Sequence, residues 1–184
     1  SVLFINKQQI FAVQRQPYLL AFPGYHAFPG GKVDNDESSI PFKTKILSDH
    51  DPRRMRAICR EVLEELDYDI EKGILNDEVL SVNELAEAVA PVFAPFRFRT
   101  WFYRIDLKNR VQFRADSGEF VSSFWSTPEK IIDDFREGKS LIVPPTRWIL
   151  KRLVEDPQAK KLGNLSEVFD EDKMVPSLEM LDGI

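Results

Sequence analysis

Strand-like and helix-like segments interleave along this chain, and that pattern predicts an α/β (α+β) fold with a mixed β-sheet sandwiched between helices. Three observations carry the expectation. Short β-prone runs open the chain. A stretch from Pro52 to about Leu66 places Met55, Ile58, Val62 and Leu66 at helical spacing. Hydrophobic residues make up 43% of the sequence, enough for a real core.

The elements follow in order. Val2–Ile5 and Ile10–Arg15 are separated by Asn6-Lys7-Gln8-Gln9 and read as a hairpin. Residues 17–31 are rich in Gly, Pro and aromatics and read as a loop. Lys32 to Asp51 is polar and irregular, and Pro52 then takes a favoured first-turn position of the helix. Val79–Ala90 is expected to be helical, stopping at Pro91. Arg97–Leu107 alternates Phe98, Thr100 and Phe102 against Arg97, Arg99 and Trp101, and reads as a strand. Val111–Phe113 and Glu119–Trp125 are further strand candidates. Pro128–Glu137 reads as a helix with Thr127 as N-cap and Gly138 as stop, and Pro144 opens a last helix to about Glu155. Residues 1–155 thus form one domain, and 156–184 read as an extension or connector.

Composition narrows the function. The 184 residues fit one ordinary domain, and the net charge of −5 argues against non-specific nucleic-acid or anionic-membrane partners. No apolar run approaches the roughly 18–20 residues that span a bilayer, and no signal peptide is visible. The one cysteine, Cys59, reads as a small packed residue, and its solitude fits a reducing, cytoplasmic setting.

The chemistry-bearing stretch is Arg60-Glu61-Val62-Leu63-Glu64-Glu65. On a helix Glu61, Glu64 and Glu65 are three and four residues apart and neighbour one another. Like charges that close repel, and a hard divalent cation, Mg2+ or Mn2+, would relieve them. A solvated acidic helix face is the bland alternative. Gly30-Gly31 at an upstream turn, Glu37 six residues after Gly31, and Arg60 beside the carboxylates favour the site.

These residues resemble the Nudix box: Gly, five residues, Glu, seven residues, then Arg-Glu-(apolar)-x-Glu-Glu-x-Gly. Gly31, Glu37, Arg60, Glu61, Glu64 and Glu65 match. Residues 38–59 are 22 positions where the family has seven, and Asp67 replaces the final glycine. Asp tolerates left-handed backbone, so the turn can survive. The insertion, residues 38–52, reads either as a lid beside the cleft or as a tolerated surface loop. Beyond the box, Ile10–Arg15, Trp125-Ser126-Thr127-Pro128-Glu129 and Pro144-Pro145-Thr146 are similar to other family segments.

The resemblance implies a Nudix fold and a magnesium-dependent hydrolase of small-molecule diphosphates. It implies that Glu61, Glu64, Glu65 and the Gly30 carbonyl hold metal, with Gly31, Glu37 and Arg60 supporting the box. Glu61, Glu65 and Glu119 are the catalytic candidates, the general base being open between Glu61 and Glu119. Arg15, His26, Phe28, Arg97 and Arg99 are candidate substrate contacts; for His26 a packing role is the competing reading, and for the aromatics of 96–103 it is strand core. The match Gly24-x-x-x-Phe28-Pro29-Gly30-Gly31, together with the long insertion, is similar to coenzyme A-cleaving members, although Leu20 stands where that signature has Arg. ADP-ribose, nucleotide sugars and nucleoside triphosphates are the other substrate classes, and a non-catalytic nucleotide-binding module is the alternative of another kind. The tail and the start at Ser1 resemble the amino-terminal Nudix part of fusions to a metallo-β-lactamase-fold domain; a homodimer is the other expectation for the tail.

Overall fold

The computed structural model describes residues 1–90, 98–115 and 118–165. In chain order the elements are strand β1 (Val2–Asn6), strand β2 (Gln9–Arg15), short strand β3 (His26–Ala27), helices α1 (Lys45–Ser48), α2 (Pro52–Leu66) and α3 (Ile70–Leu75), strands β4 (Val79–Val89), β5 (Arg99–Leu107) and β6 (Phe120–Ser126), helices α4 (Pro128–Arg136) and α5 (Pro144–Glu155), and short strand β7 (Gly163–Asn164). One sheet runs β3-β2-β1-β5-β4-β7, with β6 also paired to β2. It is mixed: β1 with β5 and β4 with β7 are parallel, and the other pairs antiparallel.

Strand side chains alternate faces, so β1 and β2 feed two cores. Val2, Phe4, Phe11 and Val13 meet Met55, Ile58, Val62 and Leu66 of α2 on one face. Leu3, Ile5, Ile10 and Ala12 meet Ile131 and Ile132 of α4 and Ile149, Leu150 and Leu153 of α5 on the other. The expected sandwich of helices about a mixed sheet is the one observed.

Caps set the helix ends. Asp51 accepts from the Arg54 N–H (3.0 Å) with Pro52 in the first turn, so α2 starts where the sequence places it. Asp67 closes α2 in left-handed geometry (φ 53°) and donates its N–H to Leu63 O, so the turn forms with Asp where the resembled pattern has glycine. Thr127 caps α4 by accepting from the Lys130 N–H (3.3 Å).

Two expectations fail. Val79–Val89 is a strand, not a helix. Bulges fall between Val79 and Ser81 and between Glu84 and Ala86. The first bulge lets Val79 and Val82, three apart, both reach the α2-side core, and at the second Leu85 and Ala86 are both buried on the opposite face, so buried residues recur at helix-like intervals along a strand covered on both sides. Val111–Phe113 is no strand either. Phe113 instead packs among Phe4, Phe11, Tyr68 and Trp125, and Val111 O accepts from Trp125 Nε1 (3.1 Å).

The insertion is part of the core. Phe42 and Leu47 are buried on the α2 side of the sheet, with the Arg56 guanidinium 4.4 Å over the Phe42 ring. His50 contacts Val82 O through Nε2 (3.1 Å) and sits edge-on to Tyr103. Beyond α5, Leu162 N–H donates to Leu85 O, β7 extends the sheet, and Leu165 is buried. The rest of the tail, 166–184, lies outside the described residues.

Candidate active site

Helix α2 and the loop before the insertion meet at Arg60. Its guanidinium donates to Glu37 (3.0 Å), Glu61 (2.8 Å) and the Lys32 carbonyl (3.1 Å). It also pairs with Asp34 (3.1 Å) and, more loosely, with Glu64 (3.5 Å). Only a rigid fork with five donors serves so many oxygens from one side chain. Burial works against its charge, but the bonds and charges of Glu61 and Glu37 raise its pKa further. Arg53 adds bonds to the carbonyls of Asp34 and Asn35, so the Gly31–Glu37 loop is fastened to α2 at several points. The extra residues of the insertion therefore leave this junction closed. Asp34 was not singled out by sequence; its position inside the Gly31–Glu37 loop is the only hint.

Gly31 and Gly30 act differently. A Cβ on Gly31 would stand 2.1 Å from the carboxyl carbon of Glu61, so the absence of a side chain makes room for that carboxylate. Gly30 has φ +127°, which favours glycine, and its N–H donates to Glu65 Oε2 (2.8 Å). Glu65 is buried, and burial pushes its carboxyl up to about 7; the Gly30 N–H opposes this, while the charges of Glu61 and Glu119 add to it and Arg15 subtracts. Burial likewise raises Glu61, offset by Arg60 and reinforced by Glu64 and Glu119. Glu119 thus lies within electrostatic reach of both carboxylates, at the start of β6, where its carbonyl accepts from Gln16 N–H (2.8 Å).

The donors here are hard oxygens, and two of them are strained as anions by burial and by each other. That chemistry fits a divalent cation. Among the described residues, however, no three His, Cys, Asp or Glu side chains converge as ligands in their present rotamers. Glu64 is 61% exposed and leans on Arg60, so joining Glu61 and Glu65 around one ion requires it to swing away.

The candidate substrate contacts divide. Arg15 stands on the site's side and bonds the Ala21 carbonyl (3.2 Å). Arg99 is also on the α2 face, paired with Glu87 beside Trp101. Phe28 is buried in the opposite core, edge-on to Phe102, so it does not line the carboxylate site. His26 also faces away: its ring meets Phe124, burial lowers its pKa, and Asp134 of α4 is the charge that opposes the shift. A two-residue strand reverses side-chain direction at every step, which a loop reading of 17–31 could not resolve. Arg97 lies outside the described residues. Cys59 packs against the α2-side core as expected, and burial, then Glu71 and Asp69, pushes its thiol up to about 12.

No family model and no curated protein matches this sequence. Solved structures do. A Nudix hydrolase from Alicyclobacillus acidocaldarius superposes with TM-score 0.68 at 20% identity, covering 86% of this chain and 91% of its own. A dihydroneopterin triphosphate pyrophosphohydrolase of E. coli gives TM-score 0.53 at 14% identity, covering 84% and 94%. An Ap4A hydrolase of C. elegans gives 0.51 at 15% identity, again covering 84% and 94%. At these identities the likeness establishes the fold: this chain has the Nudix hydrolase fold.

Proposed function

We propose that this protein is a divalent-cation-dependent hydrolase of the diphosphate linkage in a nucleoside diphosphate derivative. One observation carries the reading: Gly31, Glu37, Arg60, Glu61 and Glu65, spread over the interrupted motif, meet at one junction of loop and helix. Nothing in packing alone calls for carboxylates so close together and so deeply placed. The fold shared with known pyrophosphohydrolases supports the same conclusion.

Glu61, Glu64 and Glu65, with the Gly30 carbonyl, would hold Mg2+ or Mn2+. A bound ion of this kind supplies charge neutralisation for the diphosphate and acidification of a water. Arg60 keeps Glu61 in place while leaving its second oxygen available. The Gly30 N–H fixes the direction of Glu65. Glu119 and Glu61 are the candidates to take a proton from the attacking water, and Arg15 would bring positive charge to the same face. Coenzyme A or an acyl derivative is the first substrate to test, on the Gly24–Gly31 signature; ADP-ribose, nucleotide sugars and nucleoside triphosphates follow. A second reading, nucleotide binding without turnover, draws on Glu61 and Glu64 both being engaged by Arg60.

A panel of these diphosphates, incubated with magnesium and resolved by product, tests the proposal. Cleavage of one or more at the phosphoanhydride, abolished by chelator, is the expected result. Tight nucleotide binding with no cleavage of any member would favour the second reading.

A further inference from the structure

A second constellation shares the face of the carboxylates. Arg54, Glu61 and Glu65 are seven and eleven residues apart, two and three turns of α2, so they form one strip along the helix. The Arg54 guanidinium lies 4.1 Å over the ring of Trp101, and that of Arg99 lies 5.3 Å from the same ring. Trp101 belongs to β5 and packs on the α2 side of the sheet. Its backbone is near the glycine turn: the parallel β1–β5 pairing brings Ser1 beside it, and a Cβ on Gly30 would stand 3.0 Å from Ser1 Cα. Arg54 is held by Glu84 (2.9 Å) and Tyr103 Oη (3.4 Å), while Glu84 also accepts from Tyr103 Oη (3.0 Å).

Charge decides what this platform suits. Arg54 is matched by Glu84 and Arg99 by Glu87, so among the described residues the cations at this ring are already charge-balanced, which disfavours a phosphate there. What remains is a partly buried indole with planar, charge-balanced guanidinium groups around it, which suits a planar heteroaromatic ring. The rise from Arg54 to Glu61 is about 10 Å, of the order spanned by a nucleoside and its first phosphate.

We infer that Trp101, preorganised by Arg54 and its Glu84–Tyr103 support, is the stacking surface for the substrate's nucleobase. The inference rests on the diphosphate reading above for where the phosphates lie. Arg99, exposed and the looser of the two guanidiniums on the ring, gives way as the base enters.

The test uses ligands that cannot be hydrolysed: α,β-methylene-ADP, which carries a base, and methylenediphosphonate, which does not. Each is titrated calorimetrically against the wild type, Trp101→Leu and Trp101→Phe, with circular dichroism as the check on folding. Stacking on an aromatic ring is worth about ten-fold in affinity or more per base. The expected result is that Trp101→Leu weakens α,β-methylene-ADP about ten-fold and leaves methylenediphosphonate unchanged. Trp101→Phe should recover most of the loss. Unchanged nucleotide binding by Trp101→Leu overturns the inference, and so does equal weakening of both ligands. If the nucleotide binds through Trp101 but no diphosphate is cleaved, the catalytic proposal fails and the base site stands.

Discussion

A methyl group added at Gly31 would collide with the Glu61 carboxylate at 2.1 Å, the far end of a side chain that can move. Gly31→Ala should therefore cost little stability and much function: we expect turnover to fall at least ten-fold while the melting temperature shifts by only a few degrees. Joint measurement of both quantities checks this, and a large stability loss with normal specific activity would refute it. Cys59 gives an independent reading of the same helix. Burial, with Glu71 and Asp69, pushes its thiol up to about 12, and the thiolate is the reactive form. Ellman's reagent at pH 8 should label the native protein far more slowly than the denatured one. At this scale the motif was legible in the sequence, because box residues are defined by type and spacing. The directions of Phe28 and His26 were not, because facing depends on which strand pairs with which, and β3 is only two residues long.

Among the elements, α2 was readable: its first-turn proline and apolar stripe mark Pro52 to about Leu66, and the Asp51 cap agrees with that start. Strand β4 was not, because it is buried on both faces and bulged twice, which spaces its buried residues as a helix would, and only the pairing with β5 resolves it. Helix α3 was missed for the opposite reason. It is short and carries Gly73 inside, although Asp69 supplies a proper cap by accepting from the Lys72 N–H (3.0 Å). The insertion shows how a polar-looking segment can be structural. Phe42 is 6% exposed against the α2-side core, so Phe42→Ala should destabilise the protein by about 3 kcal/mol. Chemical denaturation measures this. Cutting the loop to the seven-residue spacing of the Nudix-box pattern should lower stability as well, since Leu47 leaves the core with it.

The whole molecule is a sheet whose two faces have separate duties. The α2 face carries the carboxylates, while the α4–α5 face is closed by aliphatic packing. The chain after α5 contributes to that closure. Arg104 is 2% exposed, paired with Asp106 (2.8 Å) and donating to the carbonyls of Pro157 (2.8 Å) and Ala159 (2.9 Å). Truncation after Glu155 would remove those two acceptors, Leu165 and strand β7, leaving a buried guanidinium short of partners. A loss of several kcal/mol, seen as a lower denaturation midpoint, is the expected result. The fold class was legible from interleaved elements; this tie was not, since no local pattern announces that a mid-sheet arginine needs a distant carbonyl. If the junction of Gly30, Gly31 and α2 performs the proposed metal-dependent hydrolysis, wild type and Glu65→Gln must differ on a cleaved diphosphate across a magnesium titration. We expect turnover that rises with magnesium in the wild type and falls by orders of magnitude in the variant, whose folding is unchanged or slightly more stable. Equal turnover by the two proteins, or turnover indifferent to magnesium, would contradict it.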